Sequence, residues 1–316
     1  MSQNKKFHGK ILNPCIDSTF KSLFTTNSPE SNTALRCFLQ AVLGHQVTEV
    51  RLQPNELSTE TPFDKQTQFD IACVLDGTEP VNVEMQGVNR EKSYDKRAEY
   101  NAAHLMNHYV PKGLEWKDVP KCYQISVLNF MYDAASEEIV SHYTMRTDDN
   151  RRLSSRLNIY FIELPKLKKL NHLKLEQLTS IERWIKFLLY ANDEKQTALI
   201  KKLSTMEEGI MQAKTVLDIL SQDEINWYRE WAEIKRVNDE LTWKNAALRE
   251  GREEGEAKGK AEGLAEGLEK GRSEGMKQAN IENAISFYKS GVDFSIIEKC
   301  TGITKEQVLQ ELKEES

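Results

Sequence analysis

Cysteine is scarce in this 316-residue sequence, and the five present (Cys15, Cys37, Cys73, Cys122 and Cys300) are far apart and odd in number. They form no CxxC pair and no disulfide framework, so a reducing cytoplasm is the expected setting. No uninterrupted apolar run approaches the ~18 residues that a membrane span needs, so no membrane partner is expected. The first eight residues lack the apolar stretch of a signal peptide. Phosphate-cradling and dinucleotide-binding glycine motifs are missing, as is the G-x-S-x-G nucleophile elbow. Neither sign of charge dominates: 43 Lys+Arg stand against 49 Asp+Glu, a formal net charge of −6. That balance argues against a non-specific nucleic-acid coat. It leaves room for a nucleic-acid enzyme whose positive charge is local or brought by a metal.

What is present divides along the chain. Residues 1–165 hold most of the strand-like material. Asp17–Phe24 reads as a helix, and Ser31 as the N-cap of a second helix that runs to Leu43 and stops at Gly44. Val47–Leu52, Gln68–Leu75 and Val81–Gln86 read as strands, the last two joined through Asp76-Gly77-Thr78-Glu79 as a hairpin. A helix over Ser93–Tyr109 follows, then strands over Gln124–Phe130, Ile139–Met145 and Leu157–Leu164. This order is that of a mixed α/β core.

From about residue 166 the pattern is helical. Leu203, Met206, Ile210, Ala213, Leu217 and Leu220 keep a 3-4 spacing, and Trp227, Trp231, Ile234, Leu241 and Leu248 continue it. Ser221-Gln-Asp-Glu224 has the form of a capping box that opens the second of these helices. Two arrangements fit: helices packed on the core, or an intermolecular coiled coil with Asn238 and Asn245 setting register. Glycine then recurs at every fourth position from Gly251 to Gly275, with six Lys/Arg and eight Glu between Arg249 and Gly275. Each helical glycine costs ~1 kcal/mol relative to alanine, so this stretch (residues 249–278) is expected to be a solvated, partly helical spacer. Residues 279–316 read as a small helical hairpin. It serves either oligomerisation or docking, or, as a helix-turn-helix, DNA.

The hairpin carries the chemistry. A three-residue loop centred on Gly77 pairs Asp70 with Glu84, because each lies seven residues from it. Ile71, Cys73, Leu75, Val81, Val83 and Met85 then share one face. Asp70, Asn82, Glu84 and Gln86 share the other. Two opposed carboxylates repel, and a divalent cation between them removes the penalty. Mg²⁺ suits such a place, since it takes few carboxylates and keeps waters and substrate phosphate. A polar, solvent-facing strand surface is the plain alternative. His104 and His108, spaced i, i+4, have the spacing of a zinc pair, but no third ligand accompanies them and a helix-face pair is the expectation.

Asp70, thirteen intervening residues and Glu84-Met85-Gln86 resemble the D…ExK signature of the PD-(D/E)XK nuclease superfamily, in an E-x-Q variant. Asp17-Ser-Thr-Phe20-Lys21 is similar to the D-x-x-F-K start of one branch. That branch is the Rpn family of recombination-promoting nucleases, also labelled PD-(D/E)XK family transposases. Arg97-Ala-Glu-Tyr100, Gly113, the strand Gln124–Phe130 and the Gly-xxx-Gly tract follow the same pattern. The resemblance implies a restriction-endonuclease-like αβββαβ core with a mixed sheet, followed by a largely helical C-terminal half. The implied segments are a nuclease-like domain (1–165), a helical region (166–248), the glycine spacer (249–278) and the tail (279–316).

It also implies hydrolysis of DNA phosphodiester bonds by an endonuclease that uses Mg²⁺, with Mn²⁺ as a substitute. Asp70 and Glu84 would hold the metal, with Asp17 as an accessory ligand or simply a helix cap. The residue two beyond the Glu is usually Lys; here Gln86 can position a water but brings no cation. Lys21 is the candidate for the displaced charge, with Lys65 behind it. Arg97, Tyr100 and Lys92 are candidates for the DNA backbone. A homodimer or higher homo-oligomer through the C-terminal helices would bring two sites to one duplex. The competing expectation is a nuclease-fold protein, weak or inactive, that serves as a DNA-binding or interaction module.

Overall fold

A computed structural model describes residues 9–55, 69–88, 93–110 and 112–314. The described residues form two compact units, 1–237 and 238–316. The first contains a six-stranded mixed sheet with strand order β1-β2-β3-β4-β6-β5. Its strands are β1 (Val50–Leu52), β2 (Ile71–Leu75), β3 (Glu79–Gln86), β4 (Cys122–Leu128), β5 (Val140–Tyr143) and β6 (Leu157–Glu163). β1, β2 and β3 are antiparallel, β3, β4 and β6 parallel, and β5 returns antiparallel on the far edge. α1 (Asp17–Thr25) and α2 (Pro29–Leu43) precede the sheet, and α3 (Tyr94–His108) crosses from β3 to the parallel β4. This is the αβββαβ order expected from the sequence.

The period-2 pattern of the hairpin explains one face. Ile71, Cys73, Leu75, Val81, Val83 and Met85 point into the main core with Phe20, Phe24 and Phe38 of α1 and α2. The three phenylalanines and Trp184 stack within centroid distances of 5.0–6.3 Å. The opposite face is not open to water, as the plain alternative had it. α3 covers it, and every residue of β2 is buried.

The helical region after residue 165 splits differently from its sequence pattern. α4 (Ser180–Tyr190) and α6 (Glu208–Leu220) pack on α2, α6 also on α1, and α5 (Thr197–Met206) packs on α4 and α6, all within the first unit. A division at residue 165 is therefore absent; the compact unit runs on to Val237. The single 3-4 stripe through Leu203–Leu220 is two helices that meet at Glu207, whose φ of −131° and ψ of 113° are extended. Gly209 lets the second helix pack closely. A Cβ there would lie 2.3 Å from the Cys37 Cβ and 2.8 Å from the Trp184 ring, so α6 approaches α2 only without one.

Two cap assignments also change. Ser28, not Ser31, caps α2: its hydroxyl accepts the Ser31 amide at 3.1 Å, and Pro29 takes the first helical position, where no donor is needed. Asp223 caps α7 (Glu224–Lys289) by accepting the Ile225 amide at 2.8 Å, while Ser221 bonds the Leu12 amide instead of forming a capping box.

Trp227 belongs to the main core, so the start of α7 is a packed helix. In the second unit, Leu241, Trp243, Leu248, Leu264 and Leu268 are exposed on α7. The glycine tract is α-helical throughout, and among the described residues nothing beyond the adjoining helix backbone lies within 4 Å of a Cβ placed on Gly251 to Gly275. The end of α7, α8 (Phe294–Thr301) and α9 (Lys305–Glu314) enclose a small core of Ala284, Ile285, Ile297 and Val308. Gly291 and Gly302, at φ of 79° and 73°, turn the chain between them. No helix among the described residues is long and apolar enough to cross a membrane.

Replacing Gly209 by alanine is expected to destabilise the first unit by about 1–3 kcal/mol, read as a lower urea midpoint, because the new Cβ would overlap the Cys37 Cβ and the buried Trp184 ring.

Candidate nuclease site

The hairpin turn sets the geometry. Leu75 pairs with Glu79 around Asp76-Gly77-Thr78, and Asp76 and Gly77 take left-handed φ of 46° and 78°. Ile71 then opposes Val83 and Ala72 opposes Asn82. The next step of that register brings Asp70, just before β2, opposite Glu84. The sequence arithmetic is met.

Glu84 is completely buried. Its Oε1 accepts from Asn101 Nδ2 at 2.7 Å and from Asn82 Nδ2 at 2.9 Å. Its Oε2 accepts from the Tyr94 hydroxyl at 3.0 Å, and Arg97 Nη2 lies 3.7 Å from the same oxygen. Tyr94, Arg97 and Asn101 fall at i, i+3 and i+7 of α3, so one helical stripe meets one carboxylate. Asn82 also donates to Gln124 Oε1 at 2.8 Å, and the Tyr94 and Ser126 hydroxyls lie 3.0 Å apart. Tyr94 has one proton, which goes to Glu84; Ser126 donates in turn to the Tyr94 oxygen. The β3–β4 register, Asn82 beside Gln124 and Glu84 beside Ser126, lays out this network.

Asp70 is less well supplied. Lys21 Nζ sits 2.8 Å from its Oδ1 and 3.5 Å from Asp17 Oδ2. Asp70 Oδ2 and Asp17 Oδ1 are buried with no donor among the described residues. Burial, together with Asp70 beside it, pushes the Asp17 carboxyl up to about 7. Burial, then the Glu84 charge, also raises Asp70. Lys21 pulls against both shifts, and its own ammonium is held above its usual range by Asp70 and Asp17 against the cost of burial.

Among the described residues, three carboxylates thus face one Lys and one half-exposed Arg, with two oxygens lacking donors. This is an environment that accepts a cation. Glu84 can contribute, because among the described residues Oε2 has only one donor within hydrogen-bond distance and keeps a lone pair. Among the described residues no three His, Cys, Asp or Glu side chains form a ready-made metal cage. The arrangement suits an ion held by few carboxylates, such as Mg²⁺, and not a closed zinc site.

The other expected residues divide. Gln86 stands half-buried at the end of β3, on the Glu84 face. Arg97 reaches the site. Tyr100 is exposed and stacks on His104 at 6.0 Å, while His104 also meets the Phe69 ring. His108 packs against Tyr109. Lys65 and Lys92 lie outside the described residues. The buried partners of Glu84 were not among the expected site residues. Their signal was the shared stripe on α3 and the face shared by Asn82 and Glu84.

Compared with known proteins, the sequence matches over residues 14–247 a family model described as PD-(D/E)XK nuclease family transposase. No curated protein and no solved structure matches it.

Two outcomes follow from this geometry. Tyr94→Phe leaves a buried carboxylate short of a donor and is expected to cost about 1–3 kcal/mol in urea unfolding. The pH dependence comes from Asp17. A carboxyl whose folded-state pKa lies above its unfolded value binds its proton more tightly when folded, so metal-free protein gains stability as pH falls through about 7. Asp17→Asn should abolish that share of the gain between pH 8 and pH 5, measured as the difference from wild type.

Proposed function

The chain belongs to the PD-(D/E)XK nuclease family of transposases, and on that footing we propose that it is a metal-dependent DNA endonuclease linked to recombination or transposition. The observation that carries the reading is the pair of opposed carboxylates, Asp70 and Glu84, with Lys21 against one and buried oxygens left without donors. Asp70 and Glu84 would hold Mg²⁺, or Mn²⁺ in its place, with Asp17 as an accessory ligand. A bound cation would supply Lewis-acid polarisation of the scissile phosphate and a water of lowered pKa.

The remaining steps belong to the chain. Lys21 offers a cation to charge that develops on the phosphate, the task that lysine of the ExK pattern has in the superfamily. Gln86 donates and accepts, which suits the orientation of an attacking water. The Asn82–Tyr94–Asn101 network holds Glu84 in one rotamer, so a metal would meet a preorganised ligand. Arg97, Tyr100 and Lys92 are assigned to the DNA backbone. Pairing of two copies through the C-terminal helices would bring two such sites to one duplex; the exposed leucines of α7 support this part of the reading. The cytoplasm is the proposed compartment.

Cleavage of supercoiled plasmid tests the assignment, with Asp70→Asn and Glu84→Gln chosen to preserve shape in a buried site. Wild type should nick or linearise DNA in Mg²⁺ or Mn²⁺ and stop in EDTA. Both variants should fall below detection, and Lys21→Ala should be strongly slowed. Wild-type rates in Asp70→Asn or Glu84→Gln would sink the assignment.

A further inference from the structure

α1 carries Asp17 and Lys21 but has no cap of its own. Its N-cap position is Ile16, whose side chain has no oxygen, and the helix makes no side-chain cap hydrogen bond. The first-turn amides of a helix need acceptors. Here one comes from a residue more than 200 positions away. Glu233 Oε2 accepts the Ser18 amide at 3.1 Å. One turn earlier on α7, Glu230 Oε2 accepts both the Asn13 amide at 3.0 Å and the Thr19 hydroxyl at 2.9 Å. Ser221, just before α7, accepts the Leu12 amide at 3.0 Å. Segment 12–19 is therefore held by three acceptors from the α6–α7 joint.

The two glutamates bracket Asp17. Glu233 bonds its chain neighbour Ser18, and Glu230 bonds Thr19, so the position of the Asp17 carboxylate follows that of α7. Lys21, one turn further, follows with it. Glu230 is buried. A buried carboxylate that serves only to hold one amide and one hydroxyl is a costly choice. A negative end at a helix N-terminus also stabilises that helix by complementing its dipole.

We propose that Glu233 and Glu230 are positioning residues of the metal site. They lock the first turn of α1 so that Asp17 and Lys21 face Asp70, and they act through hydrogen bonds, not through contact with metal or substrate. The inference rests on the reading of Asp70, Glu84 and Asp17 as a metal site. Outer partners that orient metal ligands typically govern affinity by about 10–100-fold.

The test uses the full chain and Mn²⁺ alone as probe, with binding followed by electron paramagnetic resonance and folding by urea denaturation. Glu233, half-buried, is the residue to vary. Glu233→Ala should bind Mn²⁺ at least about 10-fold more weakly while remaining folded. Glu233→Gln, which keeps an acceptor for the Ser18 amide, should recover most of that loss. Ser221→Ala, which releases Leu12 away from Asp17, should lower stability and leave Mn²⁺ affinity unchanged. Asp70→Asn should abolish binding.

If Asp70→Asn abolishes binding but Glu233→Ala binds as wild type, the positioning role is wrong and the metal site stands. Equal loss in Glu233→Gln and Glu233→Ala would also overturn it, since charge alone would then be the cause. Wild-type binding by Asp70→Asn would remove the metal site itself, and this inference with it.

Discussion

A carboxylate taken fully out of water is the constraint around which the α3 side of the sheet is arranged. Burying an ion costs several kcal/mol even after relaxation, and the cost is offset only where hydrogen bonds replace the lost waters. Glu84 meets that condition with hydrogen bonds from two amides and one phenol, and the Arg97 guanidinium lies 3.7 Å away. Each donor in turn dictates something larger. The phenol and one amide require α3 to lie against β3 with Tyr94 and Asn101 inward. The other amide is set by the pleat of β3 itself, and Gln124 and Ser126 extend the network only because β4 runs parallel in this register. The polar layer so formed is nearly complete, which makes it rigid.

Across the hairpin the balance is the opposite. Asp70 is nearly as buried and Asp17 half-buried, and among the described residues they share a single ammonium; burial and the Asp70 charge push Asp17 up, and burial and the Glu84 charge raise Asp70. One carboxylate of the pair is held firmly and the other is left with unmet electrostatic demand. That asymmetry is what a cation site needs. A saturated pair would have nothing to offer an ion, and an unsaturated pair would cost the fold too much. The substitution of Gln86 for the lysine of the ExK pattern belongs to the same account. The ammonium enters from α1 through Lys21, so the local charge is kept although its strand position is neutral.

Much of this was legible in the sequence. The hairpin loop and its parity placed Asp70 opposite Glu84, and the period of two assigned the apolar face to the main core. Asp17 and Lys21, one turn apart, came together with Asp70. Other features were hidden for physical reasons. The face of Asn82 and Glu84 has the polar composition of a wetted surface, and only the complementary polar stripe of α3 turns it into an interior. The break at Glu207 leaves the 3-4 spacing nearly in phase, so periodicity carries straight through it. Ser31 and Ser28 are equally good caps by type, and the proline between them decides. Glu230 and Glu233 look like ordinary surface acids on a helix, since the amides they serve lie some 210 positions earlier.

The hairpin also determines which changes in chain length this protein can tolerate over evolutionary time. The turn at Asp76–Thr78 is free to lengthen, because an added residue there leaves every pair of β2 and β3 as it is. A single residue gained between the turn and Glu84 has another effect. With the pairing kept, it would rotate the Glu84 carboxylate to the side of Val83, among the phenylalanines of the main core, and bring a valine under Tyr94 and Asn101. Insertions and deletions in this lineage should therefore gather at the turn and be purged from the strands on either side.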